Sequence, residues 1–194
     1  MIDIPASRLL LSALFALQLM LPLSLAHAAG STVVQLKWRH GFEFAGYYVA
    51  KERGYYEEAG LDVQIREAGP GTDSVEEVVS GRATFGVGSS SLLLARKAGK
   101  PVVALAVIQQ HSPYVLITGT FSATDSIQNL LGKRVMLDPM ADELLVYLKR
   151  EGVPIDAIQR QPQSFDITDL TSGKTDATSA HVTDQAFRLD QIHF

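Results

Sequence analysis

The chain has 194 residues, of which 46% are hydrophobic and 20% charged, and its formal net charge is −4. These values are ordinary for a globular protein, and the length allows one large core or two smaller ones. Because there is no basic block, no nucleic-acid partner is expected. The absence of cysteine excludes a thiol nucleophile, a cysteine-ligated zinc site and an iron–sulfur cluster, and no cofactor is expected.

The amino-terminal segment has the composition of an export signal. Arg8 supplies a weak positive start, residues 9–25 are mostly apolar, and the Ala-His-Ala that ends at Ala28 fits the small-x-small cleavage rule. A transmembrane anchor is the alternative, but the apolar stretch is barely long enough and is broken by Pro22. We therefore predict that residues 1–28 are a signal peptide, cleaved after Ala28, and that the mature chain is periplasmic.

Residues 33–63 predict a strand–turn–helix–strand unit around which the chain is organised. Apolar and polar residues alternate from Val34 to Trp38, as in a half-buried strand. A helix that ends at Gly54 follows, and then a strand over residues 61–65. Such a unit implies a parallel sheet, and parallel sheets bind ligands at the carboxyl ends of their strands.

The turn after the first strand carries four candidate ligand-binding residues, namely Trp38, His40, Phe42 and Glu43. Trp38 and Phe42 could stack on a ring, and Glu43 could accept a hydrogen bond from an exocyclic amine. The two rings could equally belong to the core, since buried aromatic residues often serve packing alone. We expect Trp38→Ala to weaken binding and to leave the thermal midpoint nearly unchanged.

A second candidate binding site is the junction between a predicted strand, residues 83–88, and a predicted helix, residues 92–98. Ser89, Ser90 and Ser91 place three hydroxyls and free backbone N–H groups at the start of that helix. One serine alone would be explained as a helix cap. The cluster at the carboxyl end of a strand favours contact with a ligand.

Two further apolar strands are predicted over residues 101–107 and 114–118, with a polar turn between them. His111 lies in this turn. It could donate a hydrogen bond to a ligand, or it could be an ordinary loop residue next to a proline.

Residues 119–125 have no periodicity, and beyond them the alternation of strands and helices restarts. We therefore assign residues 29–118 to a first lobe, lobe I, and residues 119–194 to a second, lobe II. The pattern places both lobes in the α/β class.

A faint internal repeat supports two similar lobes. The sequence SGRATF at residues 80–85 parallels SGKTDA at residues 172–177, and each follows a predicted helix and leads into a short strand. Two such lobes facing each other would share one cleft. Asp138 and His181 would then lie opposite the three serines, and we include both as candidate ligand-binding residues.

Four short segments carry a resemblance to a known family: LKW at 36–38, GYYEEAGLDV at 54–63, SGRA at 80–83 and GKPV at 99–102. They resemble the NMT1/THI5-like periplasmic solute-binding proteins, which are relatives of the pyrimidine-precursor and alkanesulfonate binding proteins of ABC importers. The resemblance implies a type II periplasmic-binding-protein fold, with two α/β lobes around a ligand cleft.

The chain departs from this family at two points. Eukaryotic members make the thiamin pyrimidine with a lysine and a histidine at the strand-to-helix turn and a cysteine-rich iron site. The corresponding turn here is GSSS at residues 88–91, and cysteine is absent, so no enzymatic activity is expected. Family members also continue beyond the position of Phe194 and return to complete the first lobe. The sequence therefore predicts a chain truncated at its C-terminus, with lobe I incomplete.

The resemblance implies an extracytoplasmic binding protein for a small heteroaromatic ligand, similar to a thiamin pyrimidine precursor. Such a protein delivers its ligand to the permease of an ABC importer. The motif QHSP at residues 110–113 is similar to a version found in extracytoplasmic sensors. The alternative is therefore a ligand-sensing domain cut from a membrane histidine kinase or diguanylate cyclase, with a signalling output domain as its partner.

Overall fold

Two β-sheets with flanking helices make up the computed structural model, which describes residues 31–119 and 122–191. The predicted signal peptide, residues 1–28, lies outside the described residues. Within the two described ranges, no helix is both long and apolar enough to cross a membrane.

The strands are short, and the strand Tyr114–Thr118 has the bounds that the sequence pattern predicts. They are β1 (Thr32–Gln35), β2 (Val63–Arg66), β3 (Phe85–Gly86), β4 (Tyr114–Thr118), β5 (Arg134–Leu137), β6 (Gln159–Pro162) and β7 (Ala177–His181). The predicted strand over 83–88 is thus reduced to two residues.

The helices are also short. They are α1 (Ala45–Glu52), α2 (Tyr55–Glu58), α3 (Ser74–Val79), α4 (Leu92–Lys97), α5 (Asp142–Arg150), α6 (Thr168–Thr171) and α7 (Gln185–Gln191), with 3₁₀ turns at Phe42–Phe44, Ile127–Leu130 and Ile155–Ala157.

The first sheet is parallel and has the strand order β2-β1-β3. Gly54 ends α1 with φ of 74°, a left-handed conformation that glycine adopts without steric cost, so the predicted helix end is confirmed. Asp73 caps α3, because its side chain accepts hydrogen bonds from the backbone of Val75 and Glu76. We call this sheet and its helices lobe I.

The second sheet has the strand order β4-β7-β5-β6, in which only β4 is antiparallel. Its core contains Leu137, Leu148 and Val153, which are almost wholly buried. Leu148 lies on the apolar face of α5, and Val153 follows the turn that ends this helix. We call this sheet and its helices lobe II.

Two predictions for the region between the sheets need correction. Residues 101–113, all of which the structure describes, contain no strand, although residues 101–107 are predicted to form one. The predicted assignment of residues 114–118 to lobe I also differs from the structure, because β4 pairs with β7 in the second sheet. The chain therefore enters lobe II before Tyr114. Apolar content alone could not reveal which sheet would accept a strand, since pairing depends on distant residues.

Lobe II carries a bidentate ion pair at the start of β5. The guanidinium of Arg134 donates to both carboxylate oxygens of Asp176, at 2.7 and 3.0 Å, and the backbone N–H of Arg134 donates to the same side chain at 2.9 Å. These bonds tie β5 to the turn before β7. The side-chain bond from Arg134 is the main reason that the pKa of Asp176 lies below its ordinary value.

Asp176→Asn is expected to destabilise the chain at neutral pH and to reduce the acid dependence of its stability. A carboxylate with a lowered folded-state pKa contributes stability above its unfolded pKa, about 3.9, and loses it as pH falls through the folded pKa. Urea unfolding from neutral pH to below about pH 3 measures this effect. The difference between wild type and variant should shrink below about pH 4.

The matched control is Asp156→Asn, which changes an exposed carboxylate in the same lobe. Its unfolding free energy should stay within about 0.5 kcal/mol of wild type. An undiminished difference between Asp176→Asn and wild type at low pH would contradict the assigned role of the ion pair.

Candidate functional site

The carboxyl ends of β1, β5 and β7 bring several candidate residues to the interface between the lobes, which we call the cleft and whose side chains are packed closed in this structure. Trp38 lies three residues beyond the end of β1, Asp138 directly follows β5, and His181 is the last residue of β7. In open α/β sheets this edge is where ligands bind. The carboxyl end of β1 in lobe I thus faces the carboxyl ends of β5 and β7 in lobe II.

Four rings meet across this cleft. The Trp38 ring lies 4.3 Å from the Phe165 ring and 5.9 Å from the His181 ring, measured between centroids. The Tyr114 and His181 centroids are 4.5 Å apart. Trp38 comes from lobe I and the other three from lobe II, so the rings pack the two lobes together.

Glu43 and His181 form a buried pair across the cleft. Glu43 Oε1 lies 3.1 Å from His181 Nδ1, and their side chains are 3% and 2% exposed. Thr183 Oγ1 reaches the other carboxylate oxygen of Glu43 at 3.5 Å. His181 is fixed in turn through its backbone N–H, which donates to Gln185 at 2.7 Å. Glu43 is therefore engaged by the protein and does not stand free for a ligand amine in this conformation.

Asp138 is buried and held by three hydrogen bonds. Its Oδ2 accepts from the Tyr114 hydroxyl at 3.1 Å, and its Oδ1 accepts from the Met140 backbone at 2.8 Å. Its own backbone N–H donates to Ser179 at 2.7 Å. Burial raises the pKa of Tyr114 well above its ordinary range, and the Asp138 carboxylate raises it further. Tyr114 therefore stays a neutral hydrogen-bond donor.

Lys37 is a cleft residue that the sequence analysis did not select. Its ammonium lies 4.8 Å from the centroid of the Tyr114 ring, a cation–π geometry. Burial lowers the pKa of Lys37, against the attraction of Asp138, Glu43 and Glu143. Lys37 lies between Leu36, which is buried, and Trp38, a candidate ligand-binding residue. This position next to Trp38 is the sequence signal that could have identified Lys37.

The three serines join the lobes in this structure. Ser89 and Ser91 donate from their hydroxyls to the backbone oxygen of Met140, at 2.7 and 2.8 Å. Ser90 donates to the Glu143 carboxylate at 2.8 Å. These contacts hold the start of α4 against lobe II, opposite Asp138. The predicted ligand contacts would require these hydroxyls to exchange partners.

Three other candidates lie away from the rings. Phe42 is 83% exposed. His40 is exposed and contacts Tyr48 and Glu67 on lobe I. His111 is exposed in the irregular segment before β4. The structure therefore does not bring these three side chains to the cleft residues described above.

Phe165 is the second cleft residue that sequence reasoning missed. It lies in the turn after β6 and has a positive φ of 63°, which is uncommon for a bulky residue. Such conformations persist only where the surrounding structure enforces them, and they are concentrated at functional sites. Nothing in the local sequence identifies this position. Within residues 31–119 and 122–191, no cluster of three potential metal ligands was found.

The chain was compared with known proteins. A family model described as NMT1/THI5 like matches residues 41–192. A 4-amino-5-hydroxymethyl-2-methylpyrimidine phosphate synthase of Legionella pneumophila is 34% identical over 88 residues, covering 45% of this chain and 28% of the relative. A synthase of the same name from Saccharomyces cerevisiae is 30% identical over 102 residues, covering 52% of this chain and 30% of the relative.

These relatives correct one prediction. No enzymatic activity is expected from the sequence, whereas the curated relatives bear the name of an enzyme, so that prediction is wrong. It rested on the serine turn and on the absence of cysteine. The chain spans less than a third of the length of either relative.

Solved structures establish the fold. A protein of Bordetella bronchiseptica RB50 matches with a TM-score of 0.71 and 18% identity over 84% of this chain and 54% of that chain. The alkanesulfonate-binding protein SsuA of Xanthomonas axonopodis pv. citri, bound to MOPS, matches with a TM-score of 0.61 and 17% identity. The match covers 87% of this chain and 59% of that chain. An ABC uptake transporter substrate-binding protein of Streptococcus pneumoniae, with bound histidine, matches with a TM-score of 0.56 and 11% identity. The match covers 84% of this chain and 70% of that chain. The predicted α/β type II periplasmic-binding-protein fold is confirmed.

Proposed function

The chain belongs to the NMT1/THI5-like family, and from that premise we propose that its cleft binds a small heteroaromatic solute similar to a thiamin pyrimidine precursor. The observation that carries the proposal is the cluster of rings where the lobes meet, in which the rings of Trp38, Tyr114 and His181 lie close to the buried carboxylates of Glu43 and Asp138. A flat, polar ring complements such a surface by stacking and by hydrogen bonding.

The charges of the cleft favour a ligand that donates hydrogen bonds. Glu43, Asp138 and Glu143 lie close enough to Lys37 to affect its pKa, so three acidic groups face one basic group. A ring with an exocyclic amine supplies N–H donors to these acceptors. A sulfonate or phosphate would bring like charge toward buried carboxylates, which is unfavourable at short range. The pyrimidine in the relatives' name carries an amine at position 4.

We assign ligand contacts to Trp38, Asp138 and His181, with Glu43 in support of His181. Trp38 offers a ring face, worth on the order of 1 kcal/mol in stacking. Asp138 retains lone pairs beyond its bond to Tyr114 and can accept from an amine. His181 and Glu43 supply the polar pair beside the rings. The serines at 89–91 then close the cleft around the bound ring through their bonds to lobe II.

We further propose that the chain acts outside the cytoplasm and presents its ligand to the permease of an ABC importer. The fold that it shares with periplasmic binding proteins supports this location. A signalling output domain is the alternative partner, supported by the QHSP motif at residues 110–113. Neighbouring genes distinguish the two, since an importer requires a permease and an ATPase.

Titration calorimetry with 4-amino-5-hydroxymethyl-2-methylpyrimidine tests the proposal, with MOPS as an anionic comparison. The aminopyrimidine should bind and MOPS should not. Asp138→Asn should weaken aminopyrimidine binding about tenfold or more, because a hydrogen bond to a charged group contributes roughly 1.5–3 kcal/mol.

Asp156→Asn is the matched control for this variant and should bind as wild type does, because its side chain is exposed on lobe II. Circular dichroism establishes that each variant is folded. No heat with the aminopyrimidine on a folded chain, or tighter binding of MOPS, would rule out the proposed ligand class.

A further inference from the structure

The imidazole of His181 has two nitrogens with different surroundings. Nδ1 lies 3.1 Å from the carboxylate of Glu43. Nε2 is fully buried and has no hydrogen-bond partner among the described residues. A buried polar atom without a partner is costly and rare in native structures, so this nitrogen requires an explanation.

The Glu43 carboxylate determines which nitrogen carries the proton. An ionised carboxylate only accepts hydrogen bonds, so Nδ1 must donate to it. In a neutral imidazole the lone pair then lies on Nε2, which becomes an acceptor. The side chain of Glu43 is 3% exposed and comes from lobe I, whereas His181 comes from lobe II. The proton arrangement is thus set by contact between the lobes.

Flat surfaces flank this imidazole. The Tyr114 ring lies 4.5 Å away and is tilted by 57°, and the Trp38 ring lies 5.9 Å away and is tilted by 59°. A planar ligand that reaches Nε2 would lie against these rings. A ligand reaches it only while the lobes are apart, and the Glu43–His181 contact forms again as they close around the ligand. The hydroxyls of Ser89 and Ser91, which bridge the lobes to Met140, form ordinary neutral hydrogen bonds that can exchange with water.

We propose that Glu43 is a positioning residue that holds the His181 proton on Nδ1, so that Nε2 accepts a hydrogen bond from an N–H or O–H group of a planar heteroaromatic ligand. The inference rests on the proposed function and deepens it. The ligand must carry a donor, such as an exocyclic amine or a protonated ring nitrogen, and a ring with acceptors alone would not satisfy the site. Glu43 acts through His181 and does not itself contact the ligand.

Long-range ¹H–¹⁵N correlation spectra of the histidine rings test the proton arrangement without any ligand. Wild type should show His181 protonated at Nδ1 and unprotonated at Nε2, with the signals assigned by their loss in His181→Gln. Glu43→Gln should shift the ring toward the other tautomer, because an amide can donate to Nδ1 as well as accept from it. A proton on Nε2 in wild type, or an unchanged tautomer in Glu43→Gln, would overturn the proposal. The wild-type spectrum alone shows which nitrogen of His181 carries the proton, even if the variant does not fold.

Addition of 4-amino-5-hydroxymethyl-2-methylpyrimidine tests the contact itself. The Nε2 resonance should move as its lone pair accepts a hydrogen bond, and Glu43→Gln should weaken binding about tenfold. Glu76→Gln, which changes a surface carboxylate that contacts Lys100, is the matched control and should bind as wild type does. Binding with an unmoved Nε2 resonance would overturn this inference alone. Absence of binding would overturn the proposed function and this contact with it.

Discussion

Trp38→Ala is expected to lower the free energy of unfolding by about 3–5 kcal/mol, in addition to weakening ligand binding. Trp38 is 6% exposed, stacks on Phe165 and belongs to the core cluster of lobe I. Its removal would leave a cavity that the packed strands around Val34 and Leu36 cannot fill. Urea unfolding measures the stability, and calorimetry at a temperature where the variant is folded measures the affinity.

Phe42→Ala is the matched control, because Phe42 lies in the same turn but is 83% exposed. Its unfolding free energy should stay within about 0.5 kcal/mol of wild type. The sequence analysis expected Trp38→Ala to leave the thermal midpoint nearly unchanged, and burial of the ring against Phe165 reverses that expectation. Equal stability of the two variants would show that Trp38 serves ligand contact and does not stabilise the core.

Replacing the exposed apolar residues of the segment between the lobes is expected to reduce self-association strongly. Val103, Leu105, Val107 and Ile108 are between 67% and 73% exposed, and we call them the apolar strip. Fully burying one such side chain contributes about 1.5–3 kcal/mol, so a strip of four favours contact with another apolar surface. Leu105→Lys with Ile108→Lys should therefore keep the chain monomeric at concentrations where wild type associates.

Sedimentation velocity over a range of concentrations measures this association, and urea unfolding should show little change in stability. Val146→Lys is the matched control, because Val146 is 69% exposed on α5 of lobe II, away from the apolar strip. It should associate as wild type does. A wild-type chain that stays monomeric throughout would contradict the prediction that the strip promotes association.

Several local features of the fold were predictable because they depend on a few neighbouring residues. The bounds of β4 follow from an apolar run between Pro113 and Gly119. The end of α1 at Gly54 follows from the ease with which glycine adopts positive φ. A cap at Thr72 or Asp73 follows from a polar residue that precedes an apolar helix face, and the structure shows that Asp73 is the cap.

The site was only partly predictable. The carboxyl ends of parallel strands identified Trp38, Asp138 and His181 as residues of one cleft. The same reasoning selected Phe42, which points to solvent, because position in a turn does not reveal which way a side chain faces. It passed over Phe165, whose contact with Trp38 joins two lobes and has no signal in the sequence around it.

The sequence by itself determined the α/β class, most of the strands and helices, and the family, since each of these depends on periodicity, turn residues or short motifs. Only the tertiary structure decided which sheet accepts β4, how the serines at 89–91 are bonded, and that Glu43 faces His181. Glu43 and His181 are 138 residues apart. Their contact depends on how two separately folded sheets pack against each other, and no local propensity encodes such packing.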